Sequence, residues 1–202
     1  MICVKRFNIW KDKMNRLFPI FLKLEQLQVL LVGAGPIGLE KIVALLQSSP
    51  GARIRVVAHT VIDAFRDYIA DRPYVELYER SFREEDLEGV DLVVLASNNP
   101  TFNEEVRALT RQRNILLNVA DKPDLCDFYL GSIVTKGDLK IGISTNGKSP
   151  TIAKRLKEFL NDLLPEEIDE TLGLMHEMRE QLKGDFQEKV KALNAHTREL
   201  IK

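Results

Sequence analysis

The sequence is poor in cysteine, since Cys3 and Cys126 are its only two and lie far apart among 202 residues. Two distant cysteines fit neither a disulfide framework nor a metal-ligand spacing, so we expect a reducing, cytoplasmic location. Long apolar runs are also missing, because no stretch approaches the roughly 18 apolar residues that a membrane helix requires. The N-terminal residues likewise lack the continuous apolar stretch of a signal peptide. We therefore expect no membrane association and no secretion.

An excess of either charge is missing as well, because 29 lysines and arginines nearly balance 30 aspartates and glutamates. Nucleic-acid-binding domains usually carry a net basic charge, so we expect no nucleic acid as partner. Any anion site must therefore be built locally. The hydrophobic fraction of 45% is ordinary for a globular protein and predicts a folded core.

Short apolar runs alternate with amphipathic segments through the first half of the chain. The runs with strand character are residues 27–32, 53–58, 75–78, 91–96 and 115–120. Helices are expected between them, over residues 39–46, 61–69 and 102–113. This alternation predicts a parallel, doubly wound α/β sheet, with residues 75–78 as an edge strand.

A glycine pattern, Gly33-x-Gly35-x-x-Gly38, begins directly after the first predicted strand. Gly33 allows the tight turn, Gly35 lets the backbone approach a pyrophosphate, and Gly38 lets the helix pack against the sheet. Pro36 suits the first helical turn, where its missing N–H is not needed. We therefore expect these residues, together with Ile37, to bind a dinucleotide at the helix N-terminus.

The residue that usually distinguishes NAD from NADP is absent. An acidic side chain about 20 residues further on commonly binds the ribose hydroxyls, but Ala58 and His59 occupy that place. Because no arginine directly follows this strand, we favour NAD and expect Ala58 and His59 to line the adenosine site. For His59 itself, a solvated loop histidine is the alternative interpretation, and a polar residue in a loop favours it.

Three polar residues, Ser97, Asn98 and Asn99, directly follow the strand at 91–96. Ser97 and Asn98 are expected to line the cofactor crevice, because it lies at the carboxyl ends of the strands. Asn103 either joins this crevice or caps the following helix.

Asp121 follows the last predicted strand of the sheet, at the edge where open α/β folds bind ligands. Beside a nicotinamide, a carboxylate can accept the proton that accompanies loss of a hydride. The alternative is that Asp121 only stabilises the turn at residues 121–124.

The pattern changes after this point. Residues 128–135 and 139–144 have strand character and are joined by a hairpin signal at 136–138. From Ser149 onward the sequence is helical, with apolar stripes over residues 152–163, 172–182 and 186–200.

Gly147 and Lys148 precede a strong helix start at Ser149 and Pro150. Hydroxyls, N–H groups and cations converge there, which suits a ligand that bears carboxylates, although a capped helix with a solvated basic face remains an alternative. No histidine–cysteine–aspartate cluster predicts a metal site.

These features together resemble the precorrin-2 dehydrogenase / sirohydrochlorin ferrochelatase family, the dehydrogenase–chelatase module of siroheme synthase. The resemblance extends over most of the chain from about Leu17 onward. Its matching stretches are Phe18 to Leu22, Gly33 to Gly38 followed by Glu40-Lys41, Asn118 to Asp121, Cys126-Asp127-Phe128 and Ile143 to Pro150. The last two stretches are far more specific than the glycines.

The resemblance implies a Rossmann-type NAD-binding domain over residues 1–114, a small β dimerisation region over 115–148 and a C-terminal helical domain over 149–202. Residues 1–16 are either part of the first domain or a flexible extension. A homodimer is expected. Because no methyltransferase domain follows, methylation is not expected.

The implied activity is NAD-dependent oxidation of precorrin-2, a tetrapyrrole polycarboxylate, to sirohydrochlorin in siroheme biosynthesis. Some family members also insert ferrous iron as a second substrate. A non-enzymatic, nucleotide-sensing Rossmann regulatory module is the alternative, although such modules usually keep the acidic residue after the second strand. The family's key carboxylate falls on Asp121, and the expected substrate-binding residues are Asn118, Ser144, Thr145, Asn146, Lys148 and Ser149.

Overall fold

The computed structural model describes residues 15–182 together with residues 187, 190 and 191. Cys3, His196 and most of the third predicted stripe, over residues 186–200, lie outside the described residues. Within the described part of the chain, no helix has both the length and the apolar character that crossing a membrane requires.

Strands and helices alternate along the described chain before a hairpin and two further helices. Their bounds are β1 (Gln28–Ala34), α1 (Pro36–Ser48), β2 (Arg53–Val61), α2 (Asp63–Ile69), β3 (Val75–Glu79), β4 (Leu92–Leu95), α3 (Pro100–Gln112), β5 (Leu116–Val119), β6 (Ser132–Lys136), β7 (Leu139–Ile143), α4 (Pro150–Leu163) and α5 (Ile168–Gln181). Short 3-10 turns occupy Leu24–Gln26, Glu84–Leu87 and Pro123–Leu125.

The first five strands form one parallel sheet in the order β3-β2-β1-β4-β5. The chain moves outward from β1 to β3 and then returns to the other side of β1. This reversal creates a crevice at the carboxyl ends of β1 and β4, the usual ligand site of such sheets. The expected Rossmann-type sheet is thereby confirmed, with β3 at its edge.

Both faces of the parallel sheet are buried. Along β1, Val29 and Leu31 belong to one apolar cluster, whereas Leu30 and Val32 belong to another. This alternation follows from the two-residue period of a strand, and the nearly continuous apolar sequence follows from burial on both sides. Each fully buried side chain of this size contributes about 1.5–3 kcal/mol, so the sheet is a rigid base for the loops at its edge.

The chain divides into two compact units that are not continuous in sequence. Of the described residues, those up to Gly131 and Ser144–Ser149 form the first unit, and Ser132–Ile143 and those from Pro150 onward form the second. This division differs from the expected boundaries at 114/115 and 148/149. The reason is that β5 pairs with β4 in the parallel sheet and so belongs to the first unit.

The second unit begins with the predicted hairpin, in which β6 and β7 pair antiparallel. The turn between them is tied to the start of α5, because the backbone N–H of Asp138 donates to the Asp169 carboxylate at 2.7 Å. Lys136 and Glu166 form an ion pair beside it. Helix α4 ends at Leu163, shortly before Pro165, as the position of that proline predicts.

Candidate functional site

The β1–α1 turn is packed so closely that two of its glycines cannot be replaced without displacement. Gly33 has a φ of +105°, and a Cβ added there would lie 2.5 Å from the carbonyl oxygen of Ala96. A Cβ at Gly38 would collide with the carbonyl oxygen of Gly33. At Gly35, in contrast, nothing lies within 4 Å of the added atom. The open side of the turn is therefore at Gly35, the glycine expected to face a pyrophosphate.

Helix α1 begins at Pro36, with Gly35 as its N-cap residue and no side chain capping it. The N–H groups of Ile37 and Gly38 lie in the first turn of the helix, at the positive end of its dipole, and no capping side chain accepts from them. An uncapped N-terminus beside open space at Gly35 fits the phosphates of a dinucleotide.

The two residues at the end of β2 that were expected to line the adenosine site, Ala58 and His59, differ in exposure. Ala58 is 5% exposed and belongs to the core, so any contact that it makes to a cofactor is left to its backbone. His59 is exposed. The two nearby arginines are engaged elsewhere: Arg53 donates to the carbonyl oxygen of Glu25, and Arg55 donates to that of Asp86.

The turn after β4 is held by its own asparagines and serine. Asn99 caps α3 by accepting a hydrogen bond from the backbone N–H of Phe102 at 3.2 Å. The open question about Asn103 is thereby answered, because it does not cap this helix and instead donates to the carbonyl oxygen of Ser97 at 3.3 Å. Ser97 is half-buried and Asn98 is exposed, at the carboxyl edge of the sheet.

Asp121 follows β5 with a φ of +58°, a left-handed conformation that aspartate tolerates better than most residues. Its side chain is exposed and, among the described residues, forms no hydrogen bond or ion pair. The 3-10 turn that begins at Pro123 has no side-chain cap either. The carboxylate therefore does not stabilise the turn, which was the alternative interpretation, and is free to act on a ligand.

Main-chain hydrogen bonds connect the acid to the glycine turn. The N–H of Ala120 donates to the carbonyl oxygen of Leu95 at 3.0 Å, and the N–H of Ala96 donates to that of Val32 at 2.8 Å. Asp121 and the glycine turn thus lie at the same edge, two strands apart. With a strand spacing of roughly 4.8 Å, their backbones are separated by about 10 Å. A substrate ring can lie between them.

The segment at Ser144–Ser149 forms a compact turn with positive φ at Asn146 and Gly147. The Thr145 hydroxyl accepts from the backbone N–H of Ser149 and donates to its carbonyl oxygen, both at 3.2 Å. The Ser144 hydroxyl accepts from the N–H of Asn146 at 3.2 Å. The hydroxyls of Ser144 and Thr145, which are expected to bind the substrate, thus stabilise the turn itself.

This turn lies against the loop that carries Asp121. A Cβ at Gly147 would lie 3.9 Å from the Pro123 side chain, two residues after the acid. Lys148 is exposed, and α4 begins at Pro150 as predicted. The sequence-predicted acid and the polar turn are therefore brought together by the fold.

Asn118 has a different environment from the one expected of a ligand-binding residue. It is 6% exposed, and its amide nitrogen donates to the carbonyl oxygen of Phe128 at 2.8 Å. A substrate-binding role for Asn118 stays a prediction. Within the described residues there is no group of three or more side chains that could hold a metal ion.

Two family models match this chain. One, described as NAD(P)-binding, matches residues 20–132, and the other, described as the central part of a sirohaem biosynthesis protein, matches residues 136–163. The chain belongs to this NAD(P)-binding sirohaem biosynthesis family. Its glycine turn lies within the first match, and the whole of α4 lies within the second.

Known relatives agree with this assignment. The chain is 32% identical over 176 residues to the siroheme synthase of Psychrobacter cryohalolentis, a match that covers 87% of this chain and 32% of that protein. It is 35% identical over 168 residues to the siroheme synthase of Vesicomyosocius okutanii, which covers 83% of this chain and 35% of the relative. The chain thus spans about a third of the length of these curated relatives.

A solved structure matches the chain along nearly its whole length. The structure of SirC, a precorrin-2 dehydrogenase, superposes with a TM-score of 0.65 and 28% sequence identity. The match covers 92% of this chain and 90% of SirC. The fold of the parallel sheet, the strand pair and the helical region is therefore shared with that protein.

Proposed function

We propose that this chain is an oxidoreductase that converts precorrin-2 to sirohydrochlorin with NAD, in siroheme biosynthesis. The observation that carries the proposal is a free carboxylate, Asp121, at the same sheet edge as a glycine turn that is open at Gly35. The nearly full-length likeness to SirC, a precorrin-2 dehydrogenase, supports the choice of substrate.

NAD is the cofactor, and when bound it supplies a hydride acceptor. The β1–α1 turn binds its pyrophosphate through the open face at Gly35 and the helix N-terminus. The engagement of Arg53 and Arg55 away from the carboxyl end of β2 supports NAD over NADP, because a 2′-phosphate needs a cation there.

Asp121 takes the proton that the tetrapyrrole loses as its hydride leaves. Oxidation of precorrin-2 removes one hydride and one proton. The hydride goes to NAD, and Asp121, on the side of the ring away from the glycine turn, takes the proton. General-base help of this kind contributes about 10²–10⁴ in rate. Because no described side chain pairs with Asp121, its charge is available to the substrate.

The peripheral carboxylates of the substrate bind at the Ser144–Ser149 turn. Lys148 provides an exposed cation for these carboxylates. The turn that carries it is held in shape by internal hydrogen bonds from the N–H groups of Asn146 and Ser149. This turn lies beside Pro123, in the loop of the acid, so a tetrapyrrole held there also reaches Asp121.

A homodimer and a cytoplasmic location complete the proposal. On α4, Leu156, Phe159 and Leu163 are between 43% and 60% exposed and lie on one face. A second copy of the chain covers such a stripe in a two-fold arrangement. The free thiol of Cys126 supports a reducing compartment.

Insertion of ferrous iron into sirohydrochlorin is a second activity that the free Asp121 carboxylate favours, since it can accept the pyrrole protons that metal entry releases. Here iron is a substrate. Faster metallation of sirohydrochlorin by ferrous or cobaltous ion with the protein than without it would support this activity, and equal rates would exclude it.

Incubation of the protein with precorrin-2 and NAD tests the main activity. We expect the absorbance of NADH and of sirohydrochlorin to rise together, and neither to rise without NAD. Binding of NAD without any turnover would contradict the proposal and would favour the nucleotide-sensing module instead.

A further inference from the structure

Two side chains of α3 reach the two loops that flank the crevice. Asn103 is 1% exposed and donates to the carbonyl oxygen of Ser97, in the turn after β4. Arg107 lies one helical turn further on, on the same face of the helix. It donates to both carboxylate oxygens of Asp127, at the far end of the loop that carries Asp121. One helix thus contacts both loops.

Asp127 in turn is bonded to β5. Its carboxylate accepts from the backbone N–H of Leu117 at 3.0 Å, and its own N–H donates to the carbonyl oxygen of Leu117 at 2.7 Å. The Cys126 sulfur accepts from the N–H of Val119 at 3.2 Å. The residues between 119 and 126 therefore form a loop closed at its base, and Asp121 lies in that loop.

The closing contact is of a strong type. Arg107 and Asp127 form two parallel charge-assisted hydrogen bonds, and their side chains are only 16% and 29% exposed. The Arg107 guanidinium lowers the pKa of Asp127 below its usual value, although partial burial opposes this shift. The carboxylate is therefore charged, and its pairing intact, at neutral pH.

We infer that Arg107 and Asp127 are a positioning pair, which holds the Asp121 loop at a fixed distance from the turn after β4. The inference rests on the proposed function. Proton transfer requires that the acid lie within hydrogen-bond reach of the reacting atom, and a displacement of about 1 Å can cost 10²-fold in rate. The two parallel hydrogen bonds from Arg107 on α3 resist such displacement, because they fix both the position and the orientation of Asp127 at the base of the Asp121 loop.

Three variants test the pair. Asp127→Asn and Arg107→Gln remove the ion pair, while Arg107→Lys keeps the charge but loses the planar fork. The matched control is Glu79→Gln, which breaks another forked pair, Arg66–Glu79, on the β3 side of the sheet. Steady-state kinetics, the dissociation constant for NAD and amide hydrogen exchange of residues 118–126 are measured for each protein.

We expect kcat to fall about tenfold or more in Asp127→Asn and Arg107→Gln, with KM and NAD affinity within about twofold of the wild type. Arg107→Lys should recover only part of kcat. Exchange at residues 118–126 should accelerate in these variants, and the control should match the wild type in all readouts. Should Asp127→Asn fail to fold, Arg107→Lys carries the test.

Wild-type kcat in the well-folded variants, or unchanged exchange at residues 118–126, would overturn the inference. Failure of the proposed function would look different, because the wild-type protein itself would then make no sirohydrochlorin. In that event hydrogen exchange still decides whether the pair holds the loop.

Discussion

Three aspartates of this chain illustrate how the environment assigns a carboxylate its task. Asp86 is 5% exposed and is held by the Arg80 guanidinium, and Asp127 is held by Arg107. Asp121 has no such partner among the described residues. Paired carboxylates stabilise structure, whereas a free one at a ligand-binding edge remains available for chemistry.

The Asp86→Asn substitution should lower the free energy of unfolding by about 1–3 kcal/mol at pH 7, because it leaves Arg80 and the backbone N–H of Arg83 poorly paired. The Arg80 guanidinium lowers the pKa of Asp86 in the folded state. Its contribution is therefore fully present above the unfolded pKa of about 4 and is lost as the pH falls through the lower folded value.

Urea unfolding of the wild type and of Asp86→Asn at pH 7 and at pH values below about 4 measures this difference. Asp124→Asn, at an exposed position, serves as control and should have no effect. A difference that stays constant down to the lowest pH would contradict the assignment.

At the scale of elements, the β1–α1 turn separates two kinds of glycine. Gly33 is needed for the fold, because its positive φ and the nearby Ala96 carbonyl oxygen exclude a side chain. Gly35 has an ordinary φ of −84° and open surroundings, so an added methyl group would clash only with a bound ligand. The pair therefore distinguishes stability from cofactor binding within one turn.

Gly35→Ala should weaken NAD binding by about tenfold or more while the melting temperature stays near the wild-type value. Gly33→Ala should instead lower the melting temperature. Isothermal titration with NAD and thermal unfolding check the two expectations. Wild-type NAD affinity in Gly35→Ala would show that the pyrophosphate lies elsewhere.

Sequence patterns predict the elements well because those patterns are local. The strands of the parallel sheet and the glycine turn appear where apolar runs and Gly33 to Gly38 indicate them. The contact between Arg107 and Asp127 joins residues that are 20 positions apart, and no local pattern marks it. The stretch Cys126-Asp127-Phe128 carries part of the family resemblance, but nothing in it indicates a partner for Asp127.

At the scale of the whole molecule, the two units are interleaved along the chain. The segment 132–143 leaves the first unit, and 144–149 returns to it. A division by sequence assumes continuous domains, and so it separated β5 and the Ser144–Ser149 turn differently from the structure. The turn belongs to the same unit as Asp121, which is what brings the two together.

The stripe on α4 makes a testable prediction about assembly. Phe159→Glu places a charge in the exposed apolar face and should convert the proposed dimer into monomers. Lys154→Glu, on the opposite face of the helix, should leave the dimer intact. Sedimentation velocity measures both, and a wild-type monomer or a dimeric Phe159→Glu protein would refute this interface.

Asp121→Asn tests the account most directly, with Asp124→Asn as the control in the same loop. The substitution keeps the shape of the side chain but removes its ability to take a proton. We predict that kcat for precorrin-2 oxidation falls about 10²-fold or more, while NAD binding and Asp124→Asn activity stay at wild-type values. Wild-type turnover by a folded Asp121→Asn protein would contradict the central claim that this carboxylate accepts the proton.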